Sequence, residues 1–223
     1  MIKLAEAYIH FSIDITDVPL EDLRAFEDEI YSRYHHILKE FRGKRVLTVR
    51  VEEGSLKIRL AVFGTIYVLI TSYGSFRQGI DYLVSDAKKF DKMVASDLVE
   101  HVNIPREKVY RIEKRLGIPG KIRRILVRID RVSQRSSSYN HPDIAEEIKQ
   151  IKSEVINILN AMPDEQDRQI FIEALPQPIS SSLPSPLPRP IEEDRVVIEE
   201  PFGQRRRELD VEKNRERRLY LKD

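Results

Sequence analysis

The sequence predicts an α+β fold: a small N-terminal βαβ(β) unit, then a long apolar helix, a helical region and a disordered C-terminal tail. Three patterns predict it. Ala7, Ile9, Phe11, Ile13 and Ile15 alternate with Tyr8, His10, Ser12 and Asp14, the period-two signature of a half-buried strand. Leu20, Leu23, Phe26, Ile30, Tyr34, Ile37 and Phe41 recur every three or four residues after Pro19, an amphipathic helix of about six turns that closes at Gly43. Alternation returns with Leu47, Val49 and Val51 and again with Leu56, Ile58 and Leu60, across the turn Glu53-Gly54-Ser55. Residues 1–62 therefore read as strand, helix, strand and hairpin. Two strands joined by one helix run parallel with a right-handed crossover, so the helix covers one face of the sheet and the other face needs a cover.

The nearest cover is the run from Leu60 to Phe76, LAVFGTIYVLITSYGSF, which carries no charge in a chain that is 34% Asp, Glu, Lys and Arg. About 17 uncharged residues sit at the short limit for a membrane span. The run reads as either a buried core helix or a transmembrane helix. Ala61, Gly64, Thr65, Ser72, Ser75 and Gly79 supply small side chains along it, a face on which another helix, a second copy or a partner's, packs closely. Beyond it, Ile80, Leu83, Val84, Ala87, Phe90, Val94, Leu98 and Val102 keep helical spacing, so residues 63–102 form one long apolar-to-amphipathic helix with a kink or break between Gly74 and Gly79.

Residues 103–135 are predicted to form a basic helical hairpin, started by Pro105 and turned at Gly117-Ile118-Pro119-Gly120. This stretch resembles the helix-turn-helix of DNA-binding proteins, and the resemblance implies that Lys121, Arg123, Arg124, Arg128 and Arg131 contact phosphates. It departs from that motif at Arg123, where an apolar anchor is expected, and at Glu113, where a small residue is expected. Those departures favour a hairpin with a solvated basic face over a sequence-specific reader.

In residues 136–175, Ile144, Ile148, Ile151, Val155, Ile158 and Met162 step by four and three, a seam that suits a coiled coil or docking on the preceding helices. Residues 176–223 read as a Pro-rich linker, PQPISSSLPSPLPRP, followed by a charged tail too polar to bury a core.

Composition excludes more than it names. Lys plus Arg number 38 against 37 Asp plus Glu, so any basic surface is local rather than global. Cysteine is absent, which removes disulfides, thiolate metal sites and a Cys nucleophile and suits an intracellular chain, cytoplasmic or on the inner face of a membrane. No glycine-rich phosphate loop, G-x-S-x-G or H-E-x-x-H is present. Adjacent His35 and His36 diverge by about 100° on a helix, which suits no shared metal. The expectation is a non-enzymatic protein without metal or cofactor: a membrane-associated or self-assembling module that forms homo-oligomers through the apolar helix. The alternative is a soluble nucleic-acid-binding or adaptor protein that uses the basic hairpin.

Overall fold

In the computed structural model, Ile2–Asp14 form a 13-residue strand, β1, in which Leu4 to Ile9 are buried without a break and burial alternates only toward the C-terminal end. The structure describes residues 1–40, 45–52, 54–68, 70, 75–102, 104–136 and 142–185. Helix α1 (Leu20–Tyr34) follows and tightens into a 3₁₀ turn over His35–Glu40; Leu23, Ile30, Tyr34 and Ile37 face the core. Strands β2 (Arg45–Glu52) and β3 (Ser55–Gly64) form the expected hairpin, with Gly54 at φ +88° in its turn. Helix α2 (Phe76–His101) and strand β4 (Val109–Arg115) complete a four-stranded sheet of order β2-β3-β1-β4.

All adjacent pairs are antiparallel, so β1 and β2, each antiparallel to the β3 between them, run parallel to one another. This βαββαβ order is the split βαβ, ferredoxin-like topology. Helix α1 packs on β2, and α2 packs on β1 and β4. Helix α3 (Gly117–Ser136) lies against α2 and β1, and α4 (Pro142–Asn160) lies on α3. Two short helices, α5 (Glu165–Glu173) and α6 (Gln177–Ser180), finish the described chain. The α+β class holds, with strand content beyond the N-terminal unit.

The uncharged run is where expectation and structure part. Leu60 to Gly64 belong to β3, a central strand buried on both sides: Leu60 and Val62 join the main core, while Ala61 and Phe63 form a second small cluster with Val46. A central strand with two buried faces has no polar side to show, and so it reads as a continuous apolar segment. The chain then leaves the sheet, and α2 starts afresh at Ser75, whose hydroxyl accepts from the Gln78 N–H. Among the described residues no helix is long and apolar enough to cross a membrane, which overturns the transmembrane reading.

The hairpin expectation fails for a related reason. Residues 109–115 are strand, and Gly117-Ile118-Pro119-Gly120 begin α3 rather than join two helices. The heptad seam docks: Ile151, Val155, Ile158 and Met162 are buried in the same core as Ile122, Ile125 and Ile129 of α3. The linker was expected to be extended from Pro176, but that residue caps α6, and Ile179 is buried. Pro178 is tolerated in the first turn of α6 because its missing N–H would have had no helical partner there. The end of the linker, from residue 186, and the charged tail beyond it lie outside the described residues.

A buried carboxylate fastens the last helices to the sheet. Asp167 Oδ1 accepts the backbone N–H groups of Ile66 (2.8 Å) and Tyr67 (2.7 Å) just after β3 ends, while Asp164 caps its own helix by accepting from Gln166 and Asp167. In Asp167→Ala the buried Ile66 N–H and the part-buried Tyr67 N–H lose their acceptor, at a cost of about 1–3 kcal/mol each where water does not replace it. Chemical denaturation should therefore show a loss of about 2–4 kcal/mol for Asp167→Ala and a smaller one for Asp167→Asn, which keeps an oxygen acceptor. Equal losses for the two would mean that charge, not the acceptor, matters.

Candidate functional site: the open face of the sheet

One side of the sheet carries α1 and α2; the other carries the alternate residues of all four strands. The register brings Glu6, Tyr8 and His10 of β1 beside Ala61, Arg59 and Lys57 of β3 and beside Arg115, Glu113 and Arg111 of β4. Arg50 and Glu52 of β2 continue the row beyond β3. This is a polar face by sequence, since the residues between them (Ala7, Ile9 and Phe11; Ile58 and Leu60) are the apolar members that fill the helix-covered core.

The charges are arranged in threes. Glu6, only 2% exposed, accepts from Lys3 Nζ at 2.8 Å and from Arg115 Nη1 at 2.6 Å. Glu113 pairs with both Arg111 and Arg115. Glu52 faces Arg59 at 2.8 Å and Lys57 at 4.0 Å. Each carboxylate is thus shared between two cations, and Arg50 adds an exposed guanidinium. Burial pushes the Glu6 carboxyl up, but the Lys3 and Arg115 charges and hydrogen bonds outweigh it and hold it below its ordinary value. The face carries a local excess of positive charge in a chain of net charge +1.

Aromatic rings lie among these charges. Tyr8 is covered by two guanidiniums, Arg59 at 5.1 Å and Arg115 at 5.5 Å from its ring centroid, within the range of cation–π attraction. His10 meets Tyr110 edge to face at 5.0 Å, and Tyr110 is 73% exposed. Tyr110 reaches this face because the β1–β4 register slips between His10 and Phe11, which inserts one extra residue in β4. Among the described residues no group of three His, Asp or Glu is placed to hold a metal ion.

The residues singled out from sequence fall elsewhere. Ala61 and Gly64 lie in β3, Thr65 just beyond it, Ser75 caps α2, and Ser72 is outside the described residues, so no single helical face unites them. Gly79 does mark a close approach, since a Cβ there would stand 2.8 Å from Ile70 Cγ1 within the same chain. Of the basic residues, Arg123 pairs with Asp81, and Arg128 with Glu147 and Glu154. Lys121, Arg124 and Arg131 are exposed on α3, on the helical side of the sheet. The sheet face went unread because its cations are scattered over four strands and converge only through the register.

No protein-family model matches the chain, and neither a curated protein nor a solved structure is a significant match. Topology alone carries no function, so a reading must rest on this face.

Proposed function

We propose that the protein is a binding module that takes single-stranded nucleic acid across the open face of its sheet. One observation carries the reading: three carboxylates, each shared between two cations, lie on a four-stranded sheet beside the exposed Tyr110 ring and the guanidinium planes of Arg59 and Arg115 that cover Tyr8. A phosphate chain needs cations along its path, and unstacked bases need rings or guanidinium planes to lie on. Arg59 and Arg111 can turn toward phosphates without leaving a carboxylate bare, because Glu52 keeps Lys57 and Glu113 keeps Arg115. A duplex offers no free base faces, so single strands are preferred.

The test is fluorescence anisotropy of short labelled single-stranded oligonucleotides at low salt, with a duplex as control. Tyr110→Ala removes a ring that stacks one base and should weaken binding by about 1–3 kcal/mol. Arg50→Ala combined with Arg111→Ala should flatten the salt dependence, by about 0.7 in slope for each phosphate that is no longer neutralised. Replacing Lys121, Arg123 and Arg124 on α3 by Ala should leave affinity nearly unchanged. No binding at low salt, or loss confined to the α3 substitutions, overturns the proposal.

A further inference from the structure

Strand β4 is the last in the sheet order and pairs only with β1 among the described strands. Among the described residues nothing pairs with its other edge, whose backbone N–H and C=O groups are a template for one more strand. Charged side chains and bulges ordinarily guard such edges. Here the signs are mixed and placed symmetrically: Arg111 and Glu113 flank Ile112. Ile112 is 43% exposed at the middle of this edge, with its side chain on the helix-covered side of the sheet.

We propose that two copies of this chain pair antiparallel along β4, with Ile112 opposite Ile112 of the second copy, to give one continuous eight-stranded sheet. Charge complementarity selects both the occupant and the register. About an axis at Ile112, Arg111 of each copy faces Glu113 of the other, and the two exposed Ile112 side chains cover each other. Keeping the helices of both copies on one side requires the axis to pass through a residue; an axis at Lys114 sets Lys114 against Lys114, and an axis at Tyr110 sets Arg111 against Val109 and gives it no acid. An axis at Glu113 sets Glu113 against Glu113 and Arg111 against Arg115; an axis at Arg111 sets Arg111 against Arg111. Like charges directly opposite one another destabilise an antiparallel pair, so the register at Ile112 stands alone in satisfying both. Pairing would join the open faces of the two copies edge to edge, but it rests on the edge strand and not on the nucleic-acid reading.

Analytical ultracentrifugation of the full chain, without nucleic acid, tests it. The parent should sediment as a dimer, and Ile112→Lys should sediment as a monomer. Arg111→Glu makes the edge wholly acidic around Ile112, and Glu113→Arg makes it wholly basic, so each alone should raise the dimer dissociation constant at least tenfold. Mixing those two monomeric variants should restore dimers, since two carboxylates then face two guanidiniums, and each variant's circular dichroism reports that it has folded. A parent that stays monomeric at high concentration, single variants that dimerise like the parent, or a mixture that fails to dimerise overturns the proposal.

Discussion

Gly117→Ala is expected to cost about 3 kcal/mol or more, or to prevent folding outright. Gly117 stands at φ +56°, a left-handed conformation that costs an L-residue roughly 1–2 kcal/mol before any contact is made. A Cβ there would also stand 2.3 Å from the Lys3 carbonyl oxygen and 2.8 Å from the Leu4 carbonyl carbon. Those atoms are backbone of β1, where Lys3 pairs with Phe63 of β3, and cannot yield as a flexible side chain would. Gly54→Ala is the control: it shares a positive φ of +88°, but nothing lies within 4 Å of its added Cβ. That variant should lose only about 1 kcal/mol. Denaturant midpoints of the two variants beside the parent separate the effects. Equal losses would mean that the approach of α3 to β1 is loose and that conformation alone sets both values.

The same turn explains what the sequence conceals. Val109 and Ile112 are three residues apart, followed by Leu116 four later, and this spacing is that of a helix face. In the structure Val109 pairs with Phe11 and Ile112 with Ile9, both on the helix-covered side, because the extra residue Tyr110 turns a spacing of two into three. A bulge therefore disguises β4 as a helix, and Gly117, needed for a left-handed turn and a close approach, looks like the loop of a hairpin. In α1 and α2 the helical period matches the buried face, and the β2–β3 hairpin turns at Gly54, so there the sequence is legible; β1 alternates in sequence although Leu4 to Ile9 are buried on both faces. The uncharged run is ambiguous because a strand buried on both faces and a buried helix share one composition. Glycine spacing suggests a packing stripe, yet a Cβ at Gly64 would meet Arg45 Nη1 at 2.6 Å and Leu4 Cδ1 at 2.7 Å, so that residue makes room within the sheet. The open face depends on strand register, which long-range pairing sets and local pattern does not.

Asp91→Asn is expected to make the protein more stable above neutral pH, and to do so by on the order of 4 kcal/mol, roughly 3 pKa units at about 1.4 kcal/mol each. Asp91 is 1% exposed on the core face of α2, and neither carboxyl oxygen has a hydrogen-bond partner among the described residues. Burial raises its pKa from 3.8 to about 7; the Lys114 charge on β4 opposes that rise and the Glu6 charge on β1 adds to it. The folded protein thus keeps this proton up to about pH 7, whereas the unfolded chain releases it near 3.8. Between those values the folded state binds more protons, so stability falls as pH rises and levels off above about pH 7. Asp167, raised to about 6 chiefly by burial, acts in the same direction over a narrower window. Asp97, held down to about 2, chiefly by its hydrogen bond from Arg33, loses its contribution only in stronger acid and does not mask the effect. An amide cannot ionise, so the Asn variant should match the parent near pH 4, keep the shallow slope due to Asp167, and exceed the parent increasingly toward pH 8. Denaturation of both proteins across that range decides the matter: parallel curves would mean that Asp91 is already charged in the fold, and that Lys114 turns inward to meet it.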